Sequence, residues 1–567
     1  MKDKKLIEYE VRKINDLREL VNGSADIYEG KAAYLVKNGT KKYTEKSFIE
    51  TRNDINELGT ALINLGLKGK KIAVIGENRY EWAISYLAVI NGTGIVVPLD
   101  RMLPEKEIEN CLIRGEVEAV IYSNRLENEI KNIAERNENI RYYIGMDVKE
   151  EIGKFKSLEL LLKRGSALIK EGNREFLDAE INTKEIAEIL FTSGTTSESK
   201  AVMLSQENLC YNIMKQCSML YIDEKDVFLS LLPLHHVYEC VCGFLTPFYR
   251  GCTVAYCEGL KYIQKNMQEA KVTIILAVPL IFESMYKKIW QGIEKQGKSK
   301  IVKILIKVTN AFGPMGKKIK RKVFKNIYDQ FGGKIRLFIA GAAAVNPEVS
   351  KGYRDLGILA IQGYGLSECA PIVALNTNTK MKDEAAGLPL FGTEVKIVGK
   401  NKDGIGEIVV KGKHVMLGYY KDEEGTKEVM KNGFFHTGDL GYIDEDGFIH
   451  ITGRKKNVII TKNGKNVYPE EIENKIKEIP YISECMIYGK KDKKNTVLSI
   501  QVVINMEAIT NEFGDIAEKE IKEVIWKEIK KINEKLVVYK RIKNLEIRKE
   551  DFEKTTTMKI KRYKEQV

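Results

Sequence analysis

No stretch of this sequence is long and apolar enough to cross a bilayer. The longest apolar runs, such as TIILAVPLIF from Thr273, fall well short of the roughly 20 residues a membrane helix needs. The N-terminal stretch MKDKKLIEYEVRKINDL is charged and has no apolar centre, so it does not read as a signal peptide. The chain is expected to be cytoplasmic, at most peripheral at a membrane. Its nine cysteines lack the spacing of a secreted disulfide framework and suit a reducing compartment. His235, His236, Cys240, Cys242, Cys252 and Cys257 crowd together, but as Cys-x-Cys and Cys-x4-Cys rather than repeated Cys-x-x-Cys. Core packing is expected there in preference to zinc. There is no zinc finger, no basic-aromatic stripe and no internal repeat, so nucleic acid is not an expected partner.

What is present points to a multidomain globular protein. At 567 residues the chain exceeds a single core, and 44% hydrophobic content is ordinary for a folded protein. The net charge of +13 comes from lysines interleaved with acids, the pattern of a solvated surface. It leaves an anionic partner such as a membrane surface open.

Short apolar runs alternate with helical patterns. The segment KKIAVIGENRYEWAISYLAVINGTGIVVPLD predicts a strand at Ile72–Ile75, a helix at Arg79–Ile90 and a strand at Gly94–Pro98. VEAVIYSN from Val117, VTIILAVP from Val272 and KIRLFIAG from Lys334 continue the rhythm, which predicts parallel sheet covered by helices. From Gly387 the texture shifts to short strands and glycine turns, the signature of an antiparallel subdomain. A basic break after Gly453 precedes a hairpin and a helix. The expected fold is therefore α/β: a large N-terminal domain (1–454) of two α/β sheet subdomains plus an antiparallel β subdomain, and a small α+β C-terminal domain (455–567).

The chemistry begins at TSGTTSESKAVMLSQENL, from Thr192. It is not the Gly-x4-Gly-Lys-Ser/Thr phosphate loop, because Ser199 stands where the second glycine belongs and Ala201 follows Lys200. AVML reads as a second strand, leading to a helix that Ser205 could cap. GPMGKKIKR at Gly313 fails the same spacing. The physics still suits a polyphosphate. Thr192, Ser193, Thr195, Thr196, Ser197 and Ser199 offer hydroxyls, Gly194 permits close approach and Lys200 adds a mobile positive charge. QGYGLSECAP, from Gln362, sets an aromatic (Tyr364) between glycines and follows it with Ser367 and Glu368. A ring beside open backbone can stack on a purine, and a carboxylate can hold Mg²⁺. HTGDLG puts Asp439 in a glycine-flanked turn fit to accept bonds from ribose hydroxyls. Arg454 lies at the domain boundary and Lys559 in the tail.

The ordered set FTSGTTSESKAV, LPLHHVYE, GYGLSE, HTGDLG, GRKKNVIITKNGKNVYPEEIE and KTTTMKIKR resembles the adenylate-forming superfamily. Within it, the sequence most resembles the bacterial long-chain fatty acid–CoA ligases. The resemblance spans nearly the whole chain, from about Tyr28 to Arg562. It implies that the loop Thr192, Ser193, Gly194, Thr195, Thr196 to Lys200 holds the β and γ phosphates of ATP, and that Thr195 and Glu368 bind Mg²⁺. It further implies that Tyr364 and the backbone near Gly341, Ala342 and Ala343 bracket the adenine, and that Gly365 and Ser367 are among the nucleotide-binding residues. Asp439 and Arg454 take the ribose. His236 sits between the acyl carboxylate and the CoA tunnel, and the hairpin around Gly464 lines that tunnel. Lys456 is the hinge of a mobile C-terminal domain, and Lys559 stabilises the charge that builds during adenylation. ATP, Mg²⁺ and CoA are the implied cofactors and co-substrates. An acyl carrier protein is the rival acceptor, and a non-catalytic lipid or nucleotide sensor is the rival of another class. Ser197, Ser199, Ala201 and Met558 depart from the family pattern, and Ser367 replaces its usual threonine.

Overall fold

The computed structural model describes residues 6–37, 39, 42–192, 199–313, 316–460, 465–492, 495–555 and 560–562. The chain divides into two compact units. The first comprises most residues up to 394 together with 411–433, and the second 395–410 and the chain from 434 onward.

Two large sheets form the first unit. The central strands of one, in sheet order, are Leu359–Gly365, Leu337–Ala340, Ile274–Ala277, Val227–Ser230, Thr253–Tyr256 and Ala32–Val36. These run parallel, with antiparallel strands at both edges. The other sheet orders Gly418–Tyr419, Lys200–Ser205, Ile186–Thr192, Gly94–Leu99, Lys70–Ile75, Ala119–Tyr122, Tyr142–Gly145 and Phe155–Ser157. From Ile186–Thr192 onward it is parallel. Parallel strands are covered on both faces and must be apolar throughout. Ala119–Tyr122, Thr253–Tyr256 and Ile274–Ala277 are accordingly buried at every position.

The strands predicted from sequence appear at Lys70–Ile75, Gly94–Leu99, Ala119–Tyr122, Ile274–Ala277 and Leu337–Ala340. The helix expected at Arg79–Ile90 spans Tyr80–Ala88 and then widens into a π turn at Val89–Thr93. Gly92, at φ 136°, releases the chain there into the next strand. AVML is a strand, Lys200–Ser205, and Ser205 caps the helix Gln206–Met219 in a reciprocal box with Asn208. That box satisfies two backbone donors that the helix start would otherwise leave open.

The second unit carries most of a sheet in which Gly406–Lys411, Phe434–Ile443 and Ile449–Arg454 run antiparallel, with Glu394–Val398 beside Gly406–Lys411. Beyond them come the short pair Ile459–Ile460 and Asn466–Val467, the helix Pro469–Ile476 and a three-stranded sheet. The helix Glu518–Lys535 buries Ile521, Ile525 and Ile529, one side chain every four residues, into this unit's own core. That spacing stacks them on a single helical face.

Cys111, Cys210, Cys217, Cys240, Cys242, Cys252, Cys369 and Cys485 are buried, and Cys257 is half-buried; all nine are free thiols. Among the described residues no group of three or more histidine, cysteine or acidic side chains is arranged to hold a metal. No described helix is long and apolar enough to cross a membrane.

Candidate active site

The strands Ile186–Thr192 and Lys200–Ser205 form an antiparallel hairpin. Thr192 and Lys200 face each other at its loop end, where the Thr192 hydroxyl donates to the Lys200 carbonyl at 3.2 Å. Arg114, at the end of the helix Glu105–Arg114, braces the returning strand. Its Nη2 donates to the Ser199 carbonyl at 2.7 Å and its Nη1 to the Ser199 hydroxyl at 3.2 Å. Ser193, Gly194, Thr195, Thr196 and Ser197 lie outside the described residues, as do Gly464, Met558 and Lys559.

Beside the hairpin's loop end, two motifs far apart in sequence meet. The short strand Gly418–Tyr419 pairs with the hairpin, Tyr419 opposite Val202. The Tyr419 ring lies 4.3 Å from Lys200 Nζ, and its hydroxyl donates to Glu368 Oε1 at 3.0 Å. The Met416 amide donates to the Glu368 carbonyl at 2.8 Å, fixing the backbone that presents the carboxylate. Lys200 and Glu368, both expected at the site, are thus brought together by a tyrosine that the sequence reading passed over. A cation over an aromatic face and a phenol donating to a carboxylate are each favourable. Together they hold a positive and a negative group apart on one platform. The overlooked signal was the aromatic pair in MLGYYKDEE, which follows the hairpin strand as its edge partner.

Tyr364 and Gly365 end the strand Leu359–Gly365, which pairs antiparallel with Ile372–Leu375. Tyr364 is buried and Gly365 exposed. A Cβ on Gly365 would stand 2.1 Å from the Pro371 carbonyl oxygen, so only glycine allows that approach. Ser367 and Glu368 follow in the single turn Ser367–Cys369. Gly341 continues from Leu337–Ala340, and a Cβ there would meet the Tyr238 ring at 2.6 Å. Ala342 takes a left-handed conformation with φ 70°, and Ala343 beside it is exposed.

His236 is half-buried in the turn after Pro233 and its ring lies 4.3 Å from that of His235. Burial, with Arg101 nearby, pushes His235 down to about 3, so it is uncharged at neutral pH. A buried network holds this turn. Asn78 Nδ2 donates to the Ser230 hydroxyl at 2.9 Å and to the Leu232 carbonyl at 2.6 Å, and Asn78 Oδ1 accepts from the Leu234 amide at 3.1 Å. Ser230 in turn donates to Glu239 Oε1 at 2.7 Å. Burial pushes the Glu239 carboxyl up to about 8, and a Cβ on Gly243 would lie 2.6 Å from its carboxyl carbon. Glu188, fully buried on the strand that leads into the hairpin, is likewise pushed up to about 8 by burial, with the Tyr86 hydroxyl as its neighbour. Both acids are protonated at neutral pH, as buried carboxyls without a cationic partner tend to be. Asn78 and Glu239 were not singled out from sequence, because a polar residue inside an apolar run carries no motif of its own.

In the second unit Asp439 and Arg454 face each other across the strands Phe434–Ile443 and Ile449–Arg454. Arg454 Nε meets Asp439 Oδ1 at 2.8 Å, and the Asp439 amide donates to the Thr437 hydroxyl at 3.0 Å. Asp439 is buried while Arg454 is half-exposed. Lys456 is exposed in the turn Lys455–Asn457. Its neighbours are tied down, Lys455 Nζ to Glu407 Oε2 at 3.1 Å and Asn457 Nδ2 to Glu470 Oε1 at 2.6 Å.

Residues 23–420 match the family described as AMP-binding enzyme, and residues 456–565 match the AMP-binding enzyme C-terminal domain. The long-chain-fatty-acid–CoA ligase FadD15 of Mycobacterium bovis is 28% identical over 463 residues, covering 79% of this chain and 76% of its own. ACSBG2 of Rattus norvegicus, also a long-chain-fatty-acid–CoA ligase, is 27% identical over 504 residues, covering 84% and 75%. Among solved structures, ATP-bound MatB from Rhodopseudomonas palustris shares the fold with a TM-score of 0.75 at 23% identity, covering 96% of this chain and 97% of that one. The chain belongs to the AMP-binding enzyme family, and the α/β architecture expected from its sequence is the one observed.

Proposed function

We propose that this protein is an ATP-dependent long-chain fatty acid–CoA ligase. The observation that carries the reading is the meeting of Lys200, Tyr419 and Glu368 beside the loop end of the hairpin, in a chain whose relatives include long-chain-fatty-acid–CoA ligases. In the first step a carboxylate oxygen of the fatty acid attacks the α-phosphorus of ATP. The bond to the bridging oxygen breaks, leaving acyl-AMP and pyrophosphate. In the second step the CoA thiol, losing its proton, attacks the acyl carbon and expels AMP. A carboxylate is a poor electrophile, and adenylation gives it a good leaving group. The protein's part is to position the reactants and stabilise charge.

Lys200 and the hydroxyls of its loop hold the β and γ phosphates. Tyr364 and the backbone at Gly341, Ala342 and Ala343 bracket the adenine, with Gly365 and Ser367 beside them in the nucleotide site. Asp439 and Arg454 hold the ribose. His236, steadied by the network of Asn78, Ser230 and Glu239, borders the acyl carboxylate. Lys559 neutralises charge as the α-phosphate is attacked, and the hairpin around Gly464 receives CoA. The carboxylate of Glu368 is a hard oxygen donor of the kind Mg²⁺ takes, with Thr195 as its companion; Mg²⁺ normally keeps substrate phosphates as further ligands. When bound, the ion screens the phosphate charge. Residues 1–454 carry the nucleotide and acyl sites, while 455–567 move about Lys456.

The test is pyrophosphate release across a panel of carboxylic acids, with and without CoA and with an acyl carrier protein as alternative acceptor. Long-chain acids should release pyrophosphate best, and thioester should form with CoA. Turnover only with short or aromatic acids, or thioester only on the carrier protein, would overturn the assignment.

A further inference from the structure

Between Glu294 and Asp329 the sequence carries eleven lysines and arginines and not one acid. This is a sharp departure from a chain that elsewhere interleaves both signs. The helix Ser299–Ala311 opens the stretch. Val302, Leu305 and Ile306 pack on the core of the nine-stranded sheet, which accounts for one side of the helix. A second apolar row has no such cover. Ile301, Ile304 and Val308 are 58%, 60% and 50% exposed, and Phe312, just past the helix end, is 48% exposed. At 100° per residue these four fall within an arc of roughly 80°, beside the core-facing arc. Lys300, Lys303 and Lys307, all exposed, fall on the next arc round. The helix Gly316–Val323 adds further basic residues.

A soluble surface has no reason to keep an aliphatic row in water along a helix. The pairing of that row with adjacent lysines narrows what could cover it. A second copy of the same surface would bring like charges together. An acidic protein or polynucleotide would satisfy the lysines without needing four exposed aliphatic and aromatic side chains. A bilayer with anionic headgroups satisfies both. The apolar row enters the boundary between headgroups and acyl chains, while the lysines reach to the phosphates.

We propose that the helix Ser299–Ala311, with the basic segment that follows it, is a docking surface for anionic membranes. It lies on the first unit, so that unit can rest on a bilayer whatever the state of the nucleotide site.

The experiment is co-sedimentation of the full-length protein with vesicles of phosphatidylcholine alone and of phosphatidylcholine with phosphatidylglycerol. The wild type should bind the anionic vesicles and be released by high salt, and it should bind neutral vesicles at least tenfold less well. Ile304→Glu should lower anionic-vesicle binding at least tenfold. The triple reversal Lys300→Glu, Lys303→Glu, Lys307→Glu should do the same. The matched reversal Lys519→Glu, Lys522→Glu, Lys530→Glu, which changes net charge equally on another exposed helix, should leave binding within twofold. Circular dichroism confirms folding of each variant. Three outcomes would overturn the proposal: a wild type that stays in solution with anionic vesicles, helix variants that bind like the wild type, or a matched reversal that loses as much binding as they do. Sedimentation velocity without lipid addresses the remaining occupant: a wild-type dimer that Ile304→Glu turns into a monomer would assign the surface to self-association instead.

Discussion

Asp439 is the most constrained of the polar residues proposed to meet the nucleotide. It is buried, its backbone is held by Thr437, and its carboxylate is already engaged by Arg454. A carboxylate fixed by a partner on the facing strand keeps its remaining lone pairs aimed, so a ribose would find its acceptors without having to order them. Replacing it by alanine removes those acceptors. Asp439→Ala is expected to weaken ATP binding by roughly 1.5–3 kcal/mol, the range for hydrogen bonds to charged groups. Calorimetry checks this directly, and an unchanged affinity would remove Asp439 from the site. Lys200 and Glu368 were legible because their residue types announce chemistry. Tyr419 announces none, and only the pairing of its strand with the hairpin reveals that it serves both.

At the scale of elements, the turn Lys455–Asn457 concentrates the argument about motion. Lys456 is exposed between two tethered neighbours, so a change of direction there would fall on very few dihedral angles. Hinges are built in this way, from a few terminal residues that absorb large φ/ψ changes. Proline fixes φ near −65° and removes the N–H. Lys456→Pro is therefore expected to lock one orientation: if that is the adenylating one, acyl-AMP should form at a near-normal single-turnover rate while thioester formation falls by orders of magnitude. Rapid-quench measurement of each half-reaction decides it, and a proportional loss of both would count against the hinge.

The same scale explains what could be foreseen. Ile274–Ala277 and Ala119–Tyr122 were legible because a strand covered on both faces must be a short, unbroken apolar run. The π segment Tyr238–Leu245 was not. Its sequence YECVCGFL is as apolar as any helix, and the widening that seats Glu239 against Gly243 depends on tertiary neighbours. The hydroxyl-rich loop and the tail lysine were recognisable by motif, but they lie outside the described residues.

For the whole molecule, the buried acids Glu188 and Glu239 set a pH dependence. Each is held near 8 in the folded chain against about 4.5 when unfolded. Below about 4.5 both states are protonated and the stability is fully present. As pH rises toward 8 only the unfolded state releases its proton, so stability falls, by at most about 1.4 kcal/mol per pH unit for each group. Glu188→Gln keeps the shape without the ionisation. Its stability relative to the wild type should therefore climb between pH 5 and pH 8, as read from urea unfolding at each pH. A constant difference across that window would mean that Glu188 is ionised in the fold.

The buried thiols give the molecule one more property. Reaction with an alkylating reagent requires both access and a thiolate. Eight of the nine cysteines are shut away, and burial lifts Cys111 and Cys217 to about 12. Labelling of those eight can proceed only when the surrounding structure opens, so the number of them modified in a given time counts openings. The cysteines are spread from residue 111 to residue 485, so peptide mapping would show which part opened. Any substrate that binds only the closed form would slow the labelling by a factor of one plus its concentration over its Kd. The chain thus carries an intrinsic meter of substrate affinity that needs neither turnover nor a coupled enzyme.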